Sequence, residues 1–255
     1  MAKSRPTSSS GSGPKPRRRS GFFISLEGIE GSGKTTQSVR LAEWLTREGH
    51  EVVRTREPGG TPLAEALRRL LLNATGEPVT PWTEVLLVLA ARAQHVAQVI
   101  RPALERGAVV LCDRYLDSTL AYQAYGRGLP AAVLLRWHRQ VTDNLMPDLT
   151  LLFDLPVTVG LRRRREEGTK TNRLDDETRQ FHDRVLQGFR DLARKYRSRI
   201  RVIPSGRTPE QIQADVRDLV TEALAHKPAG RKNRLMKRPI ASTNAPHIGK
   251  LHAVR

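Results

Sequence analysis

The chain has 255 residues, a single cysteine and a formal net charge of +18. That length suits one α/β domain whose core needs no structural metal, and a lone Cys112 cannot close an internal disulfide. No apolar run approaches the ~20 residues of a membrane-spanning helix, and the N-terminus lacks the apolar segment of a secretory signal, so a cytoplasmic protein without membrane contacts is expected.

The basic charge is gathered at the ends. Residues 1–20 hold six Lys/Arg and residues 226–255 hold eight, with no acid in either, which leaves 30 basic against 26 acidic residues between them. Both ends are rich in Ser, Gly, Pro, Lys and Arg and read as disordered tails around a folded region at 21–225. Lys15-Pro-Arg-Arg-Arg19 suits a nucleic-acid contact, a targeting address or a solvated tail without a role, and Arg231–Arg238 reads the same way. Nucleic acid is thus a partner that the tails permit and the folded region does not call for.

In the folded region, apolar runs at 22–27, 52–55, 108–112, 149–154 and 200–203 read as strands. Helical segments fall at 34–47, 62–73, 82–105, 130–142, 156–165, 177–198 and 208–224. This alternation predicts an α/β fold, a parallel sheet of five strands covered by helices on both faces. Thr61-Pro62 and Thr208-Pro209-Glu210-Gln211 supply capping hydroxyls before first-turn prolines.

The first strand runs directly into Gly28-Ile29-Glu30-Gly31-Ser32-Gly33-Lys34-Thr35, a complete G-x-x-x-x-G-K-[ST] phosphate-binding loop, with Thr36 next in the helix. Glycines let such a loop curl with its N–H groups inward, and the helix N-terminus adds its dipole. Lys34 then reaches the β- and γ-phosphates of a nucleoside triphosphate, and Thr35 ligates Mg²⁺. Glu30 is unfavourable beside a triphosphate and is expected to point towards an acceptor.

Ligands of open α/β sheets collect at the carboxyl ends of strands. That rule selects Arg56-Glu-Pro-Gly-Gly-Thr61 after the second strand and Asp113-Arg114-Tyr115 after the third. Asp113 is placed to bind Mg²⁺ opposite Thr35, and Arg114 offers a planar fork for phosphate. An ion pair capping the next helix is the alternative for Asp113-Arg114. Arg92 lies in the apolar helix Leu89–His95 and needs a partner or a wet cavity, unless it snorkels from the helix edge. Further on, Leu161–Gly168 and Thr169–Glu177 read as a mobile, arginine-rich loop able to swing over the phosphates, or as a solvated helix end with pairs such as Arg162 with Glu166 and Arg163 with Glu167.

Four ordered segments, Glu27–Gln37, Thr55–Pro62, Ala90–Val96 and Asp113–Gln123, resemble the bacterial thymidylate kinase family over about residues 21–225. The resemblance implies a P-loop NTPase fold, three layers α/β/α with a five-stranded parallel sheet and a mobile lid at about 163–176, in a homodimer. It implies transfer of a phosphoryl group from ATP to dTMP, giving dTDP and ADP. ATP would be held by Gly28, Ile29, Glu30, Gly31, Ser32, Gly33, Lys34, Thr35 and Thr36. Arg56 and Arg114 would hold the dTMP phosphate, Arg92 the thymine, and Thr119 and Gln123 the base edge. Pro58 would also contact dTMP, Tyr122 would pack where a 2′-hydroxyl would go, and Glu30 would approach the 3′-hydroxyl. Lys34, Asp113 and Arg114 would be catalytic, joined by lid arginines among Arg163, Arg165 and Arg173, because Ser32 leaves the loop without an arginine. The chain departs from the family pattern at Val88, where Phe commonly stacks on thymine, and at Asn172-Arg173-Leu174, where Asp-Arg-Ile or Asp-Arg-aromatic is usual. Another nucleotide or small-molecule kinase of this fold, or a nucleic-acid-binding ATPase using the tails, remains the alternative.

Overall fold

The computed structural model describes residues 21–73, 77–166, 168 and 172–226. The tails expected at 1–20 and beyond His226, and part of the expected lid including Glu167, lie outside the described residues.

Five strands, β1 (Phe22–Glu27), β2 (Val52–Arg56), β3 (Val109–Asp113), β4 (Leu149–Asp154) and β5 (Ile200–Pro204), form one parallel sheet in the order β2-β3-β1-β4-β5. The register pairs Leu26 with Asp113 and Asp113 with Arg56, so β1, β2 and β3 end level with one another. That places the phosphate-binding loop beside both segments picked out by the strand-end rule.

Side-chain alternation divides the core in two. Phe23, Val110, Cys112 and Leu152 belong to one apolar cluster, while Ile24, Leu26, Val109, Leu111, Leu151 and Phe153 belong to the other. Each of these buried aliphatic side chains contributes about 1.5–3 kcal/mol relative to exposure. Helices α1 (Lys34–Arg47) and α9 (Pro209–Ala225) supply the second cluster through Leu41, Leu45, Ile212, Val216 and Val220. The first is covered by α3 (Pro81–His95) and α8 (Arg179–Lys195), among others, through Val85, Leu89, Phe181, Val185 and Phe189.

Helix starts follow the sequence signals. Thr61 Oγ1 accepts from Ala64 N at 3.1 Å at the start of α2 (Pro62–Leu72), and Thr208 forms a full capping box with Gln211. Such a cap contributes about 1 kcal/mol. The long helix expected at 82–105 is α3, a π-turn at Val96–Ile100 and α4 (Arg101–Arg106), closed by Gly107 at φ 96°. Pro102 has no N–H to donate into the preceding turn, and the wide turn before it accommodates the loss.

One helix was not legible in the sequence. Residues Leu116–Thr119 (α5) continue as a π-helical stretch, Leu120–Gly126, and both are buried on nearly every side. A helix enclosed all round has no amphipathic period to betray it. The remaining helices are α6 (Ala131–Thr142) and α7 (Val157–Glu166). At α7 a Cβ on Gly31 would stand 2.2 Å from the Gly160 carbonyl oxygen, so two glycines let this helix rest directly on the phosphate-binding loop. Among the described residues no helix is long and apolar enough to cross a membrane.

Candidate active site

Gly33, left-handed at φ 90°, opens α1 without a side-chain cap, so the first helical amides keep no intrahelical or capping side-chain partner. Amides in that position, with the helix dipole behind them, bind anions. Lys34 folds back across the loop, donating to the Ile29 carbonyl at 2.7 Å and to Ser32 Oγ at 3.2 Å. Burial, then the Arg114 charge, pull its pKa down to about 8, against the opposing pull of Asp113 and Glu30. Thr35 and Thr36 stand exposed at the open end of the loop. Thr35 Oγ1 donates to Asp113 Oδ2 at 2.9 Å, a juxtaposition of hydroxyl and carboxylate oxygens that suits a hard cation such as Mg²⁺.

The ammonium of Lys34 attracts a triphosphate only while it is protonated, so affinity should be full below pH about 8 and fall above it. We therefore expect equilibrium affinity for a nucleoside triphosphate to decline above that pH. An affinity that is flat to pH 10 would remove this role from Lys34.

Beside the loop opens a cleft walled by both polar and apolar side chains. It is lined by Glu30, Pro58, Arg92, Arg114, Thr119, Tyr122 and Gln123, among others. Arg92 is fully buried; its Nε donates to Glu57 Oε2 at 2.6 Å and its Nη2 to Thr119 Oγ1 at 2.8 Å. Its Nη1 has no partner, a buried donor available to a ligand acceptor. Val88 also lines the cleft, joined in its apolar wall by Leu71, Leu72 and Leu174.

Arg114 connects the cleft to the loop. Its Nη1 donates to the Gly28 carbonyl at 3.0 Å and to Ser118 Oγ at 3.1 Å, and its Nη2 donates to Glu30 Oε1 at 2.8 Å. Burial opposes its charge, but Tyr122, Glu30 and Asp113 outweigh burial and hold it protonated. Tyr122 Oη lies 2.6 Å from both Glu30 oxygens, and Arg114 with Lys34 keeps that carboxyl below its usual range despite its burial. Glu30 is thus held on the cleft wall by Arg114 and Tyr122.

Not every expected residue joins this cleft. Arg56 is largely exposed, paired to Glu65 at 3.0 Å, and lies outside the lining. Arg163 reaches the Ser205 carbonyl at 3.3 Å and Arg165 is exposed on α7. Arg173 Nη2 donates to Glu84 Oε2 at 2.6 Å and its Nε to the Leu71 carbonyl at 3.2 Å, on the acceptor side.

Four residues escaped the sequence reading. Arg68 lines the cleft and donates to the Pro58 carbonyl at 3.0 Å; nothing in Arg68-Arg69 distinguished one arginine from the other. Glu57 is the acid that Arg92 required, and it stood inside the quoted strand-end segment. Glu84 anchors Gln123, whose Nε2 donates to Oε1 at 2.7 Å. Glu27, buried under Arg114, accepts from the Tyr115 amide at 2.8 Å and from Ser118 Oγ at 2.5 Å, and burial with the nearby Asp117 raises its pKa to about 8. Glu57, His95 and Cys112 also converge within 4.8 Å, but Glu57 is committed to Arg92 and His95, and burial pushes the Cys112 thiol well up, which ill suits a metal.

A parallel sheet in this order, a phosphate-binding loop after its first strand and a polar acceptor cleft facing that loop define a P-loop nucleoside monophosphate kinase. A family model described as thymidylate kinase matches residues 26–216. The chain is 50% identical over 204 residues to a thymidylate kinase of Ectopseudomonas mendocina, covering 80% of this chain and 97% of that protein. It is 51% identical over 203 residues to one of Thermomicrobium roseum, covering 80% and 96%. The crystal structure of thymidylate kinase from Ehrlichia chaffeensis superposes with a TM-score of 0.64 at 34% identity, over 78% of this chain and 98% of that one. The chain belongs to the thymidylate kinase family.

Proposed function

We propose that this enzyme transfers the γ-phosphoryl group of ATP to the phosphate of dTMP, giving dTDP and ADP. The observation that carries the reading is Arg114, which touches the phosphate-binding loop at Gly28 and the acceptor cleft at Glu30 with one guanidinium. A phosphate oxygen of dTMP attacks the γ-phosphorus, the bond from that phosphorus to the β,γ-bridging oxygen breaks, and ADP leaves with the electron pair. The acceptor is already an anion and needs no general base, so positioning and charge neutralisation dominate.

In this reading Thr35 and Asp113 would hold Mg²⁺, which would supply charge neutralisation on the phosphoryl oxygens. Lys34 leaves its two loop acceptors for the β- and γ-phosphates. Arg114 grips the acceptor phosphate, with Arg68 near it on the cleft wall. Glu30 and Tyr122 face the sugar, while Arg92 Nη1 and the Gln123 amide meet the base edge. Val88 and the leucines replace a stacked aromatic ring with a flat aliphatic wall.

ADP release measured with Mg·ATP across dTMP, dUMP, dCMP, AMP and shikimate tests the assignment. The expected result is the highest kcat/KM with dTMP. Equal or higher efficiency with another acceptor would withdraw the substrate while leaving the kinase class in place.

A further inference from the structure

The carboxylate of Glu84, in the first turn of α3, is fully buried yet receives four donor contacts. Gln123 Nε2 stands 2.7 Å from Oε1 and Arg127 Nε 3.4 Å from it, while Arg127 Nη2 lies 3.2 Å and Arg173 Nη2 2.6 Å from Oε2. Arg127 is shared with Glu177 at 2.5 Å and stacks over the Phe181 ring at 4.5 Å, so it is fixed independently. Arg173 is tied down further by its own amide, which donates to the Leu72 carbonyl at 3.3 Å.

The residues flanking Arg173 form a braced turn. Asp175 Oδ2 accepts from the Asn172 amide at 3.0 Å, from Asn172 Nδ2 at 2.6 Å and from Arg164 Nη2 at 3.0 Å. Asn172 and Leu174 both line the acceptor cleft. A rigid turn that walls the cleft is thereby fastened to the carboxylate that also orients Gln123 at the base edge.

We infer that Glu84 is a positioning residue that fastens the Asn172–Asp175 turn against the acceptor cleft through Arg173, and that Arg173 serves acceptor binding and not the transferring phosphoryl group. The inference rests on the dTMP kinase reading. Gln123 at the base edge is held by one oxygen of the carboxylate whose other oxygen holds the Asn172–Asp175 turn, so one group sets two parts of the acceptor wall. Losing Arg173 leaves a buried carboxylate short of one cation and unfastens the wall at Leu174.

Steady-state kinetics on the full-length enzyme, varying each substrate, tests this. For Arg173→Gln and for Glu84→Gln the expected result is a rise of at least about tenfold in the dTMP KM, with the ATP KM within about twofold and kcat within about threefold. Arg173→Lys, which keeps a cation, should recover part of the loss. The double variant should be little worse than either single one, because both break the same link. A fall in kcat with the dTMP KM unchanged in Arg173→Gln would overturn this role, as would losses that multiply in the double variant. Should Glu84→Gln fail to fold, the partly exposed Arg173 variants decide alone. If the wild type prefers another monophosphate, the dTMP reading falls and the same KM comparison is made with the preferred acceptor.

Discussion

Lys34→Ala should lower turnover at least about a hundredfold with the fold intact, because a cation aimed at the transferring phosphoryl group acts where charge develops in a site shielded from water. In the structure this ammonium rests on a carbonyl and a hydroxyl, with no carboxylate at hydrogen-bond distance. Leaving those two acceptors costs about 1 kcal/mol each, which the phosphates replace with charge-assisted contacts. Burial already disfavours this charge, holding the lysine pKa down to about 8. Removing it should therefore leave the melting temperature close to that of the wild type. Single-turnover rates with saturating Mg·ATP are the measurement, and a rate near normal in Lys34→Ala would contradict the role.

Arg114→Ala should be as damaging and in two ways. Turnover should fall by at least about a hundredfold, and the dTMP KM should rise as well, because one guanidinium serves the loop and the acceptor together. The change also deprives Glu30 of its nearest cation, leaving Tyr122 as its hydrogen-bond donor at 2.6 Å. Its pKa should then rise, since burial is no longer countered by that cation. The backbone at Arg114 lies at φ 72°, the left-handed region that costs a non-glycine residue of order 1 kcal/mol or more. Such strain is consistent with a side chain whose direction matters more than local stability. Arg114→Lys, which keeps the charge without the fork, should recover only part of the activity. A dTMP KM unchanged in Arg114→Ala would argue that the guanidinium does not hold the acceptor.

The sheet was legible because β1, β3 and β4 are largely apolar runs and β2 and β5 open on β-branched residues, and β1 and β4 were expected at their observed limits. β3 lies one residue later than expected, since Ala108 serves to pair the loop with β1 through its carbonyl, at 3.0 Å from the Phe22 amide. α8 proved shorter than 177–198 because Thr178 caps it at 3.2 Å and the chain leaves the helix after Lys195. The buried helix from Leu116 carried no polar face and so escaped notice, although Thr119, Tyr122 and Gln123 upon it were singled out through the resemblance.

At the site, legibility followed the chemistry of motifs. The loop glycines, Lys34, Thr35 and Asp113 declared themselves by spacing. Glu57, Glu84 and Arg68 did not, because what marks them is the partner each meets across the fold, over 35, 39 and 10 residues of chain. An arginine inside an apolar helix did announce that an acid must lie opposite, and Arg92 found it in Glu57. Arg173, expected to serve the phosphates from its place in an arginine-rich loop, meets Glu84 in the structure, a partner its local sequence does not announce.

Two anion sites joined by Arg114 should pass a phosphoryl group between nucleotides without losing it to water. Nucleotide products separated after incubation with Mg·ATP and dTMP measure this directly. The expected result is dTDP and ADP in equal amounts with negligible inorganic phosphate; ADP accompanied by inorganic phosphate and unchanged dTMP would rule out transfer between the two sites.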